Sequence, residues 1–184
     1  MKFYVIRHGQ TNWNIEGKIQ GNTDIELNET GIKQANAVKE TIKKYDIDLI
    51  VSSPLKRARK TAEIINETVK CDIIFSENLK ERCYGEFEGK IRKDISIDEI
   101  MQSEQLNNYY ANIQYKGIET IQDLCDRVWN LIDNLKNEYK NKNILLVSHG
   151  GTIRAINAYF KGINEDGTVD NPGVKNCEIK EYKL

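Results

Sequence analysis

The sequence predicts an α/β fold of three layers, α/β/α, in which helices cover both faces of a mainly parallel central sheet. Short apolar runs rich in β-branched residues, at positions 3–6, 49–51, 73–75 and 144–147, alternate with longer stretches of helical periodicity. The 184 residues contain no internal repeat, low-complexity stretch or linker rich in proline, glycine and serine. We therefore expect a single domain over residues 1–184.

Each of the four apolar runs is too short for a helix and predicts a buried strand. Amphipathic helices are predicted near residues 32–42, 55–65, 121–139 and 152–160, where apolar side chains recur at steps of three and four. Ser53 and Pro54 suit the cap and the first turn of the second helix. Residues 174–182 alternate weakly and predict an edge strand, whereas the less regular, polar segment 90–117 predicts a small insertion or lid.

The composition excludes several classes of protein. Lys and Arg number 27 against 28 Asp and Glu, which leaves a net charge of −1, so the broad basic surface of a nucleic-acid binder is absent. No apolar run approaches the ~18 residues of a membrane span, and the first residues do not resemble a secretory signal. The four cysteines have no C-x-x-C spacing. We expect a cytoplasmic protein with reduced cysteines and with neither a nucleic-acid nor a membrane partner.

Polar clusters follow three of the predicted strands, at positions 7–11, 52–58 and 148–152. In an open α/β sheet, ligands bind beyond the carboxyl ends of the strands. The only two histidines, His8 and His149, occupy equivalent strand-end positions and are predicted to face one pocket. Arg7 and Arg57 add permanent positive charge, and two predicted helix starts add backbone N–H groups. This combination favours a phosphoryl group as the ligand.

Other interpretations of the histidines remain open at this point. A single strand-end histidine is more often a structural, hydrogen-bonded residue than a catalyst. Two histidines with carboxylates also occur in metal sites, but neither His8 nor His149 has a second ligand at a suitable spacing on its own element. We therefore expect neither a metal nor another cofactor.

Several motifs resemble those of one family, the histidine phosphatase superfamily, which includes cofactor-dependent phosphoglycerate mutases and many small phosphatases. In chain order they are RHGQTNWN at 7–14, GKIQG at 17–21, SPLKRA at 53–58, LKE at 79–81 and SHGG at 148–151. Each motif alone has little specificity, but together and in order they are highly specific and span essentially the whole chain. The resemblance implies the phosphoglycerate mutase-like fold of the small phosphatase branch.

The resemblance also implies a mechanism. His8 is the expected nucleophile, whose neutral imidazole attacks phosphorus and becomes phosphohistidine. Its other ring nitrogen should donate to a backbone carbonyl. Arg7, Arg57 and His149 are expected to hold the phosphoryl oxygens, and Glu81 to protonate the leaving group and then deprotonate a water molecule.

Further contacts are implied with less chemical detail. Asn14 is expected to donate a hydrogen bond to the phosphate. The other expected phosphate and substrate contacts are Gln20, Gly21, Gly150, Arg82, Tyr84 and Arg92. The last three are candidates for recognising the part of the substrate beyond the phosphate.

The preferred function is hydrolysis of small phosphomonoesters, with a small phosphorylated metabolite as partner and no metal. A cofactor-dependent phosphoglycerate mutase is the alternative. Cys83 stands where the mutases usually carry a histidine, and the segment between Gly89 and Ser148 is short for a mutase and lacks paired arginines. A non-catalytic phosphate-binding module is a second alternative, although all five catalytic candidates are present. A homodimer is the default expectation for the assembly.

Overall fold

A five-stranded sheet forms the centre of the part of the chain that the computed structural model describes, residues 1–96, 106–111 and 113–183. Its strands are β1 (Lys2–Arg7), β2 (Leu49–Ser52), β3 (Asp72–Phe75), β4 (Ile144–Ser148) and β5 (Ile179–Lys183). They are ordered β3-β2-β4-β1-β5. The first four are parallel, and β5 pairs antiparallel with β1 at the edge. The predicted α/β class is confirmed.

Helices cover both faces of this sheet. They are α1 (Asn12–Glu16), α2 (Glu29–Ile42), α3 (Lys56–Val69), α4 (Ile121–Glu138) and α5 (Gly150–Lys161). Short 3-10 turns lie at Glu77–Leu79, Gly85–Phe87 and Arg92–Asp94. No helix of the described ranges is both long enough and apolar enough to cross a bilayer.

Alternate side chains of the strands pack into two separate hydrophobic cores, because successive residues of a strand point to opposite faces of the sheet. Phe3 and Val5 of β1 pack with apolar residues of α4 and α5. Tyr4 and Ile6 of the same strand pack with those of α2 and α3. All four side chains are buried, which contributes about 1.5–3 kcal/mol for each large apolar group. This alternation produces the predicted three layers.

One helix start differs from the prediction. Helix α3 begins at Lys56, and its cap, Leu55, provides no side-chain hydrogen bond. Ser53 lies before the helix, and its Oγ accepts from the N–H of Leu55 at 3.3 Å. The expectation that Ser53 caps a helix starting at Pro54 was wrong, since the Ser53 hydroxyl faces the carboxyl end of the sheet instead.

The C-terminal segment reaches the same end of the sheet before it becomes a strand. Strand β5 starts at Ile179, later than the sequence predicted, and the preceding residues cross the end of β1. There the N–H of Cys177 donates to the carbonyl of Arg7 at 2.9 Å. The Asn176 amide donates to the carbonyl of His8 at 2.7 Å.

The predicted insertion 90–117 is described only in part, because residues 97–105 and 112 lie outside the described ranges. Within it, Asn107 and Tyr109 form backbone hydrogen bonds with Val169 and Gly167. Leu106 and Ile118 pack with Ile19 and Phe87 in a small separate core. A lid role for this segment stays a prediction.

Candidate active site

The carboxyl ends of the three central strands bring the polar clusters together. Arg7 pairs with Ser148 across β1 and β4, and Ser52 pairs with Val147 across β2 and β4. The residue that follows each strand therefore lies at the same edge of the sheet. The rings of His8 and His149 lie with their centroids 5.1 Å apart.

His8 has the tautomer that a nucleophile requires. Its Nδ1 lies 2.7 Å from the carbonyl oxygen of Gly9, and because a carbonyl only accepts, Nδ1 carries the proton. The other nitrogen, Nε2, therefore has a free lone pair. Burial lowers the pKa of His8 well below 6.5, and the positive charges of Arg57 and Arg7 lower it further. The imidazole is neutral at physiological pH.

Helix α3 fixes the backbone beside His8. The N–H of Gly9 donates to Thr61 Oγ1 at 3.1 Å. The Thr61 hydroxyl in turn donates to the carbonyl of Arg57 at 2.7 Å. Gly9, whose carbonyl orients the His8 ring, is therefore held in place by α3, the helix that also carries Arg57.

Arg7 offers a donor that the protein leaves unused. Its Nη1 donates to the carbonyl of Val174 at 3.0 Å. Its Nε is buried and has no hydrogen-bond partner within the described residues. A buried donor without a partner costs about 1–3 kcal/mol. An anionic ligand that accepts from this Nε recovers that cost.

Arg57 is completely buried and is held on three sides. Its Nε donates to His149 Nδ1 at 3.2 Å, its Nη1 to the Thr23 carbonyl at 2.9 Å and its Nη2 to the Gly21 carbonyl at 2.7 Å. One N–H on each Nη remains to bind an anion. Burial lowers the pKa of Arg57 to about 10, and Arg7 contributes, so the group stays charged at neutral pH.

His149 is bound by protein groups at both ring nitrogens. Because Nδ1 accepts from Arg57, the proton lies on Nε2, which donates to Ser53 Oγ at 2.8 Å. Burial, followed by the Arg57 charge, lowers the pKa of His149 well below 6.5. The predicted contact of His149 with a phosphoryl oxygen therefore requires one of these hydrogen bonds to be exchanged.

Glu81 lies at the start of α5. Its Oε1 accepts from the N–H groups of Arg82 at 2.8 Å and Thr152 at 3.1 Å, and its Oε2 accepts from the Gly151 N–H at 3.1 Å. Two N–H groups that the sequence predicted for a bound anion are therefore used by a carboxylate of the chain. A Cβ on Gly150 would lie 3.8 Å from Arg7 Cζ and 4.0 Å from Glu81 Oε2, so this glycine lies between the two side chains.

Glu88 is a site residue that the sequence analysis did not identify. Its carboxylate accepts from the N–H groups of Asn22, Thr23 and Tyr84 and from the Thr23 hydroxyl, at 2.7–3.0 Å. Burial raises the pKa of Glu88, but the hydrogen bonds from Thr23, Asn22 and Tyr84 outweigh it and lower the pKa overall. The loop that Glu88 holds supplies the two carbonyls that bind Arg57.

The neutral predicted contacts also lie at this site. Asn14 Oδ1 accepts from the N–H of Thr11 at 3.0 Å. This bond uses the amide oxygen, so the two N–H groups of the Asn14 side chain are not engaged in it. Gln20 Oε1 is buried and has no hydrogen-bond partner within the described ranges. Gly21 has a φ of +50°, and its carbonyl is one of those that bind Arg57.

A cavity of about 1060 Å³ lies above these groups. Arg82 reaches its wall, but its guanidinium donates to the carbonyls of Glu119 and Leu106 and to Asn107 Oδ1. Other cationic and aromatic lining residues include Trp13, Lys18, Tyr84, Arg92, Lys93, Arg154 and Lys175. The predicted site residues line this cavity except Arg57 and His149, which are fully buried and hydrogen-bonded to each other. The structure adds Arg154 to the lining, and it adds Ser53 and Glu88 through their contacts with His149 and with the loop that binds Arg57.

Ser53 directly follows β2 at the strand-end position equivalent to that of His8, which was a usable sequence signal. Arg154 lies one helical turn after Gly150, a spacing that the sequence also contained. The described residues contain no group of three or more His, Cys, Asp or Glu that could hold a metal ion.

Comparison with known proteins agrees with this geometry. A relative from Bacillus subtilis named uncharacterized phosphatase PhoE is 40% identical over 182 residues, which cover 97% of this chain and 89% of that protein. A metal-independent phosphoserine phosphatase from Arabidopsis thaliana is 32% identical over 182 residues, which cover 97% of this chain and 76% of the relative.

A solved structure is similar as well. The phosphoserine phosphatase of Entamoeba histolytica, as a mutant in complex with phosphoserine, superposes with a TM-score of 0.84 at 31% identity and covers 98% of this chain and 89% of its own. The model of the histidine phosphatase superfamily (branch 1) matches residues 3–184. With its neutral strand-end histidine between two arginines, the chain belongs to the histidine phosphatase superfamily.

Proposed function

We propose that this protein is a metal-independent phosphatase that hydrolyses small phosphomonoesters through a phosphohistidine on His8. The observation that carries the proposal is the free Nε2 lone pair of a neutral, buried imidazole beside the guanidinium groups of Arg7 and Arg57. A neutral imidazole is a nucleophile, and two fixed positive charges stabilise the charge on the phosphoryl oxygens.

The first step transfers the phosphoryl group to the protein. Nε2 of His8 attacks phosphorus, the N–P bond forms and the bond to the ester oxygen breaks. Arg7 Nε and the two remaining Arg57 N–H groups bind the non-bridging oxygens, together with the Asn14 amide. Glu81 supplies the proton that the leaving alkoxide takes up.

The second step restores the histidine. Water attacks phosphorus, Glu81 accepts a proton from that water, and the N–P bond breaks to release inorganic phosphate. Glu81 suits both steps because the N–H groups at the start of α5 hold its carboxylate beside Gly150, next to Arg7. Both steps use only groups of this chain and water.

A small phosphorylated metabolite fits the cavity, whose volume exceeds that of a phosphate group alone. Support for this class comes from the relatives, since the Entamoeba histolytica protein is described in complex with phosphoserine.

We also propose a cytoplasmic location, with segment 90–117 as a partial cover of the single domain. A homodimer remains the default proposal.

The test is phosphate release from a panel of phosphomonoesters in the presence of a chelator, for the wild type and His8→Ala. We expect release that survives the chelator and falls by about 10³-fold or more in the variant. A phosphoenzyme that is labile to acid and resistant to hydroxylamine should form only with the wild type.

Other outcomes point elsewhere. Isomerisation of 3-phosphoglycerate without phosphate release would support the mutase alternative. Binding of phosphomonoesters with neither release nor a phosphoenzyme would support a non-catalytic module. Full turnover in His8→Ala would exclude His8 as the nucleophile.

A further inference from the structure

Arg154 is a charged residue of the cavity for which the proposed reaction provides no role. It lies on α5 and lines the cavity. Its guanidinium is half-buried and makes no hydrogen bond or ion pair with any other described residue. Glu81 and Asp170 interact with it electrostatically, but neither carboxylate lies within ion-pair distance.

This situation is costly for a cation. Burial lowers the pKa of Arg154 because the charged form loses hydration, and the charge of Arg92 lowers it further. Arg82, its neighbour in the wall, has all three types of guanidinium nitrogen bound to protein oxygens. Of these two arginines, Arg154 is therefore the one with donors left for a ligand.

Helix geometry directs Arg154 toward the reacting group. It lies one turn, about 5.4 Å, beyond Gly150, and side chains on a helix lean toward its N-terminus. Gly150 is next to Arg7, where the phosphoryl group is proposed to bind. An anion at Arg154 and a phosphate at Arg7 would therefore belong to one small molecule.

Tyr84 adds a neutral donor at the same place. A Cβ on Gly151 would lie 3.2 Å from the Tyr84 hydroxyl, so this hydroxyl sits over the first turn of α5. Burial, followed by the charge of Glu81, raises the pKa of Tyr84, so the phenol keeps its proton. The hydroxyl has no hydrogen-bond partner in the part of the chain that the structure describes.

We propose that Arg154 and Tyr84 form a carboxylate subsite, and that the protein prefers phosphorylated carboxylic acids among small phosphomonoesters. The proposal rests on the proposed function and names its substrate class. A guanidinium binds a carboxylate through two parallel hydrogen bonds, and the phenol can donate one more. One carboxylate charge matches the single guanidinium charge of Arg154, whereas a second phosphate would bring nearly twice that charge.

Two substrates that differ by one carboxylate provide the test. O-phosphoserine and O-phosphoethanolamine share the phosphate and the amine, and only the former has a carboxylate. For the wild type we expect kcat/KM to be about 10- to 100-fold higher for phosphoserine, the value of a charge-assisted pair. Arg154→Gln should reduce this ratio by about 10-fold or more. Both values of kcat/KM in a ratio are measured on the same protein sample, so a smaller fraction of folded protein lowers both equally and leaves the ratio unchanged.

Binding separates this inference from the proposed function. The affinities of His8→Ala for the two compounds, measured by calorimetry, should show the same preference even if no compound is hydrolysed. Lys161→Gln, an exposed change at the end of the same helix, is the matched control and should keep the wild-type ratio.

Two results would overturn the inference. One is a failure of the expected ratios, either a ratio near one in the wild type or a wild-type ratio that Arg154→Gln leaves unchanged. The other is a larger preference for fructose 1,6-bisphosphate over fructose 6-phosphate that depends on Arg154, which would assign the subsite to a second phosphate.

Discussion

The two histidines of the site differ in what holds them. The proton position of His8 is set by its own neighbour, Gly9, so a local motif determines the nucleophilic tautomer. The proton position of His149 is set by Arg57 and Ser53, which come from another strand and helix. Motif reasoning therefore predicted the His8 geometry and missed that of His149, because the second depends on tertiary contacts.

Glu81→Gln tests the proton donor through the leaving group. A serine alkoxide needs a proton to leave, whereas p-nitrophenolate does not. We expect kcat/KM for phosphoserine to fall by about 10²- to 10⁴-fold and that for p-nitrophenyl phosphate to fall far less. The first irreversible step determines kcat/KM, so the later hydrolysis does not affect the comparison.

Glu86→Gln is the matched control, since this neighbouring carboxylate is exposed. It should leave both values of kcat/KM near those of the wild type. Equal losses on the two substrates in Glu81→Gln would mean that Glu81 organises the site without donating a proton.

At the scale of elements, the start of α5 holds Glu81, the proposed proton donor. The sequence predicted this helix, and the glycines at its start suggested free N–H groups for an anion. The structure shows two of those groups bound to Glu81, a residue far away in the chain. A local pattern can predict that donors are available, but only the packed structure decides which acceptor reaches them.

Gly151→Ala should separate activity from stability. A Cβ there would lie 2.6 Å from Glu81 Oε1, so the carboxylate must move. We expect kcat/KM for phosphoserine to fall by about 10- to 100-fold, with the same leaving-group dependence as in Glu81→Gln. Alanine favours a helix interior over glycine by up to about 1 kcal/mol, which offsets part of the loss of the hydrogen bonds to Glu81 Oε1, so the melting temperature should change by no more than a few degrees.

Thermal unfolding and steady-state kinetics on the same preparation check this prediction. A melting temperature lower by several degrees would show that the change damages the fold, and the activity loss would then say nothing about Glu81.

At the scale of the whole molecule, the fold buries two ionisable rings in their neutral forms. Their folded-state pKa values lie well below 6.5, the value expected in the unfolded chain. Below pH 6.5 the unfolded state therefore binds more protons than the folded state, so stability decreases as the pH falls. The contribution of these rings to stability is fully present above that pH.

We expect the free energy of unfolding to fall as the pH decreases from 6.5 to 5, with a slope that rises toward a limit of about 1.4 kcal/mol per pH unit for each histidine. Glu88 has a pKa below 4.5, so its contribution is lost only at lower pH. Urea unfolding at several pH values measures the slope, and His149→Gln should remove about half of it. An unchanged slope in this variant would mean that His149 is not buried in its neutral form.

The sequence predicted the fold class and the convergence of the strand ends, because hydrophobic periodicity and the rules for parallel sheets determine both. It did not predict Glu88 or Arg154. The role of Glu88 depends on four donors, three from residues 22–23 and one from Tyr84, which no local pattern indicates. Arg154 lies in a helix that the sequence predicted, and only the cavity beside that helix makes it a candidate contact.

The strand order has a consequence for synthesis. Strand β1, which ends beside His8, the proposed nucleophile, lies between β4 and β5. The ribosome therefore releases first the strand whose two partners it makes last. Arg7 and His8 also form hydrogen bonds with residues 174–177, which are synthesised much later. These residues bind the carbonyls of Arg7 and His8 and the Arg7 guanidinium. This edge of the sheet cannot form before residue 177 and strand β5 have been synthesised, so its folding proceeds through contacts distant in sequence.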